Sequence, residues 1–87
     1  MKSLTVTFED QRHHVDYDSE MIDDTHVVSI FLQDQKLTNI AGERFNLLKH
    51  LDRGKEDYEF EPPPSQRGRD LKRTIAEEVK RIFRKSR

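Results

Sequence analysis

Thr25-His26-Val27-Val28-Ser29-Ile30-Phe31-Leu32 is the most strand-like stretch of the 87-residue chain. It is rich in β-branched and aromatic residues, the types that suit a pleated, packed surface. It is apolar at both odd and even positions, so it reads as a central strand with both faces covered. Before it, Leu4, Val6 and Phe8 alternate with Ser3, Thr5 and Thr7. A period of two with threonines on the wet side is the mark of a half-buried strand over residues 2–8. Glu9 to Arg12 reads as a four-residue polar turn. His13, Val15 and Tyr17 then resume the alternation and complete a hairpin. The acidic run from Asp18 to Asp24 has little pattern and reads as a loop.

After the central strand, Gln33-Asp34-Gln35 punctuates the chain. Lys36 to Ile40 reads as a returning strand, with a helix starting near Leu37 as the rival. From Glu43 the spacing of Phe45, Leu48 and Leu51 predicts a short helix over residues 43–53, stopped by Gly54. Tyr58 and Phe60 lie in a charged extended segment, an edge strand over 57–61 in one reading. Pro62-Pro63-Pro64 is a semi-rigid spacer, because proline fixes φ and donates no hydrogen bond. Leu71, Ile75, Val79, Ile82 and Phe83 fall on one stripe of a long C-terminal helix over residues 67–87, capped by Ser65 or Asp70.

The order of elements predicts a two-layer α+β domain. A small, mostly antiparallel sheet of three to five strands carries one short helix, and the long amphipathic helix packs on it. Residues 1–61 form the body, 62–66 the spacer and 67–87 the helix, all within one domain. The length suits a single domain. Charged residues make up 38% of the chain and hydrophobic ones 32%, so the core is small. The net charge is only -1. Low hydrophobicity without high net charge argues for a fold rather than disorder. There is no cysteine, which excludes disulfides, thiol nucleophiles and thiolate-bound zinc. No segment is apolar enough for a bilayer span or a signal peptide, so the expected home is the cytoplasm, in soluble form and without membrane contact.

Charge is segregated along the chain. Residues 67–87 hold nine basic and three acidic side chains, while residues 1–66 hold seven and fourteen. Arg69, Arg73, Lys80, Arg84 and Arg87 form one column on the helix, a spacing suited to a phosphate backbone. The competing reading pairs this basic helix with the acidic body, within one chain or across a homodimer. Tyr58 and Phe60 among their acids are candidates for docking a protein partner. His14, Asp16 and His26, with His13 nearby, are weak candidates for a metal. Asp16-Tyr17-Asp18-Ser19-Glu20 opens like a calcium loop but has Met21 and Val27 where glycine and glutamate are required. No nucleophile elbow or phosphate-cradling loop is present, and no cofactor is expected. The expectation is a non-enzymatic protein-interaction or accessory module, with nucleic-acid binding through the basic helix as the alternative.

Overall fold

The computed structural model describes residues 2–54 and 57–85, with Arg53 and Lys85 described by backbone alone. Four antiparallel strands form one open sheet in chain order: β1 (Lys2–Phe8), β2 (Gln11–Ile22), β3 (Thr25–Phe31) and β4 (Arg44–His50). Helix α1 (Gln35–Ala41) lies between β3 and β4, and helix α2 (Gln66–Lys85) follows the proline spacer. The fold is α+β, with α2 packed on its own sheet. No helix among the described residues is long and apolar enough to cross a membrane.

The β1–β2 hairpin turns on two residues, not four. Phe8 pairs with Gln11, and Glu9 and Asp10 both take positive φ (51° and 64°), as a tight primed turn requires. β2 does not end at Tyr17. It runs twelve residues to Ile22, because β3 pairs with it from Asp16 to Ile22, and these ladder bonds hold the acidic stretch extended. β2 is thus shared between its neighbours: residues 11–17 pair with β1 and residues 16–22 with β3. Among the described residues, only Asp16 and Tyr17 are paired on both sides.

Residues 35–41 are a helix, the rival of the two readings. The Asp34 carboxylate caps it by accepting the Lys36 N–H, and Gly42 ends it at φ 87°. Leu37 faces inward and is buried, with Ile40 and Ala41 packed beside the core. The base of this excursion is closed by the Leu32 N–H donating to the Glu43 carbonyl at 2.8 Å.

The helix expected over 43–53 is instead strand β4 and a single 3-10 turn, Leu51–Arg53. Phe45 and Leu47 are buried with a period of two, while Leu48 is half-buried and Leu51 exposed. The helical spacing of Phe45, Leu48 and Leu51 lost to the open edge of β3, whose backbone groups need a partner. Gly54 is indeed a stop, adopting the left-handed conformation after the 3-10 turn. Residues 57–61 add no fifth strand; they meet β4 in one bridge, Leu48 with Glu59.

One face of the sheet presents Leu4, Val6, Phe8, Val15, Tyr17, Val28, Ile30, Phe45 and Leu47, all buried. α2 covers it with Leu71, Ile75 and Val79, each at zero exposure. Ser65 starts α2: its hydroxyl accepts the Gly68 N–H, and its carbonyl accepts the Arg69 N–H. Among the described residues, no helix covers the other face of the sheet. Val27, Ser29 and Phe31 lie there half-buried, so the central strand is covered on one face and not on both.

Candidate functional site

The basic column of α2 lies along the flank that borders residues 57–61. Lys80 Nζ reaches Asp57 Oδ1 at 2.7 Å. That bond holds the Asp57 carboxyl below its ordinary value, helped by the charges of Arg73 and Arg84. A carboxylate therefore sits among three of the column's cations. Arg69 and Arg73 are exposed, and Arg87 lies outside the described residues. On another flank Arg67 Nε donates to Glu9 at 2.7 Å, which lowers the Glu9 carboxyl. The helix and the body thus meet in ion pairs within one chain at two places.

The histidines are dispersed by strand alternation. His14 and Asp16 share the open face; His14 lies near Thr5 Oγ1 at 3.4 Å, and Asp16 accepts from Gln33 at 2.6 Å. His13 and His26 lie on the helix face. His13 is buried, with Nδ1 2.9 Å from the Asp34 carboxylate, which lowers the Asp34 carboxyl. His26 Nδ1 is 2.6 Å from the Tyr58 hydroxyl, and its ring meets Phe83 edge-on at 4.5 Å. Burial, then the charge of Lys49, pushes the His26 pKa down, and burial lifts Tyr58 to about 12. The Tyr58 hydroxyl therefore keeps its proton and can donate to a neutral imidazole. The structure does not bring His14, Asp16 and His26 together, and the described residues contain no group of three ligands fit for a metal.

Of the aromatic pair, Tyr58 is consumed by the fold: it is buried against His26 and under the Lys49 ammonium. Phe60 is half-buried and lines a groove of about 620 Å³ beside β4, with Phe45, Glu61 and Lys72. Lys72 is itself buried, donating to the Glu61 carbonyl at 3.1 Å with its ammonium 4.9 Å from the Phe45 ring. On the open face Thr25 Oγ1 lies 3.1 Å from His50 Nδ1, and His50 Nε2 lies 3.7 Å from Glu59. The second distance is too long for a hydrogen bond. The trio works as a cross-strand tie between β3, β4 and the following segment.

The surface that sequence reasoning missed is the far half of β2. From Asp18 to Ile22 the strand is paired with β3, but the edge facing β1 has no strand partner among the described residues. All five side chains are exposed. Met21 and Ile22 are 54% and 51% exposed, and Leu51 is 47% exposed. Leu51 lies at the same end, its N–H donating to the Asp24 carbonyl of the β2–β3 turn at 2.9 Å. Met21 and Ile22 thus stand on the strand whose edge is open, one on each face of the sheet, while Leu51 lies across β3 from that edge. A signal was present: the alternation of His13, Val15 and Tyr17 continues through Ser19 to Met21.

This is an α+β domain with a one-sided four-stranded sheet. No family model matches the chain, and no curated protein or solved structure matches it.

Proposed function

We propose that this chain is a small protein-interaction module that docks a partner on the outer edge of β2. The observation that carries this reading is the coincidence of a strand edge without a strand partner among the described residues with exposed Met21 and Ile22 on the same strand. An edge strand presents unpaired N–H and C=O groups that another chain can satisfy, and apolar side chains beside it add buried area. The test is a selection of random peptides displayed on phage against the immobilised protein. Selected peptides should lose binding when Met21→Ser and Ile22→Ser are introduced together. Unchanged binding to that variant would place the docking surface elsewhere.

Arg69 and Arg73 favour a second reading, nucleic-acid binding along α2, because both are exposed and neither makes a salt bridge or side-chain hydrogen bond to a carboxylate among the described residues, although Arg73 feels the charge of Asp57. It is the weaker reading, since Asp57 already occupies the column beside Lys80. Counterion release makes such binding fall steeply with salt. Oligonucleotide binding that drops with salt and is lost in the Arg73→Gln, Lys80→Gln, Arg84→Gln variant would support it. Binding that ignores these changes would exclude the helix.

A further inference from the structure

The charge around the open edge indicates what adds to it. From Asp16 to Thr25 the chain holds Asp16, Asp18, Glu20, Asp23 and Asp24, with neither lysine nor arginine, and Lys2 of β1 stands opposite Tyr17. Asp18 and Glu20 are exposed and make no ion pair among the described residues. They stand on the open face, while Ser19 and Met21 stand on the helix face, opposite Val28 and His26.

Building on the docking role above, we infer that the occupant of this edge is an extended basic segment of a partner protein, alternating Lys or Arg with apolar residues. Every second residue of β2 directs its main-chain N–H and C=O toward the open side. An added strand would bond to these groups, and its side chains would alternate between the two faces. On the open face its cations meet Asp18 and Glu20. On the other face its apolar side chains lie beside Met21. Opposite charges directly across a ladder stabilise it and like charges destabilise it.

The same acids reject a second copy of this edge. Antiparallel self-pairing centred on Glu20 sets two Glu20 carboxylates opposite one another, and a neighbouring register sets Asp18 against Glu20. Nor can the basic α2 of another copy serve, since a helix has its own main-chain groups bonded internally and leaves those of β2 unsatisfied.

The experiment uses the full chain, labelled with nitrogen-15, and three capped peptides in which valine alternates with lysine, glutamine or glutamate. The lysine peptide should shift the amide signals of residues 18–22, with an affinity that falls as salt rises. In the Asp18→Lys, Glu20→Lys variant its affinity should drop about tenfold or more, and the glutamate peptide should now bind. Both positions are exposed, so unaltered amide signals in α2 and β4 will show that the variant is folded. Equal binding of all three peptides would overturn the basic occupant while leaving docking at the edge standing. No response of residues 18–22 to any peptide would overturn both. A dimer of the unmodified protein in sedimentation, altered by the same two substitutions, would make the occupant a second copy and overturn the inference.

Discussion

The two halves of β2 are one continuous strand in opposite circumstances. From Gln11 to Tyr17 the inward residues His13, Val15 and Tyr17 are buried, and β1 pairs along the whole length. β3 reaches only Asp16 and Tyr17 of this half, and α1 approaches the rest: Asp34 binds His13, and Lys36, Leu37 and Ile40 line a groove with Phe8, Gln11 and His13. From Asp18 to Ile22 the strand pairs, among the described residues, only with β3, and its inward residues Ser19 and Met21 are exposed. Where β3 stops short, a capped helix fills the space; beyond the Lys2–Tyr17 pair, the edge has no strand partner among the described residues. Burial along this strand follows from what stands beside it more than from its own residues.

The largest test of that contrast is Leu37→Ala. Leu37 is 1% exposed and is the buried anchor of α1. Truncating a buried leucine costs about 2–5 kcal/mol, through lost burial and the cavity left behind. Denaturant unfolding should show a loss in that range. A loss no larger than that of a surface substitution would mean that α1 does not hold the first half of β2.

Gly68→Ala comes next, and its sign is informative. In an exposed helix the change would stabilise by about 1 kcal/mol. Here a Cβ would stand 2.8 Å from the Ile40 carbonyl oxygen and 3.2 Å from Pro63. That oxygen belongs to α1 backbone and cannot swing away. Overpacking of this kind costs about 1–3 kcal/mol, so a net loss of about 1 kcal/mol is expected in thermal or denaturant unfolding. A gain would show that α1 and α2 can part without penalty.

Strand β1 and helix α2 were legible because each has a single unambiguous period: Leu4, Val6, Phe8 in one case and Leu71, Ile75, Val79 in the other. Residues 44–50 were not, since Phe45-Asn46-Leu47-Leu48 satisfies both periods, and the choice was made by the open edge of β3 some fifteen residues upstream. α1 is only seven residues long, too short for periodicity, although Asp34 and Gly42 marked its ends. The candidate site was half legible. Met21-Ile22 stands out as an apolar pair in an acidic run, but the open edge beside it is a matter of register, which depends on where β1 begins to pair.

Beside the second half, opposite Met21, His26 and its partner Tyr58 give a smaller, pH-dependent effect. Tyr58→Phe removes a hydrogen bond and leaves the His26 Nδ1 unpartnered, a loss of about 1 kcal/mol at neutral pH. His26 faces Tyr58, Phe83 of α2 and, across the ladder on β4, Lys49. Its pKa in the fold lies below the ordinary 6.5, so the unfolded chain takes up the proton first. Its share of stability is present above 6.5 and is lost as pH falls through that value toward the folded one. His26→Phe should flatten the decline in stability between about pH 7 and pH 5. An equally steep decline would assign the pH dependence to other groups.

Met21→Ser should have the smallest effect on folding. Met21 occupies an inward position of β2, two residues beyond Ser19 and opposite His26. Were the second half of the strand covered like the first, removing this side chain would cost as much as a core truncation. At 54% exposure it has little buried area to lose, and surface substitutions stay within about 0.5 kcal/mol. The expected unfolding midpoint is therefore close to that of the unmodified protein, while affinity for the lysine–valine peptide falls. This pairing of outcomes separates a side chain held for binding from one held for folding. A large loss of stability would show Met21 to be part of the core, and the two halves of β2 would then be alike.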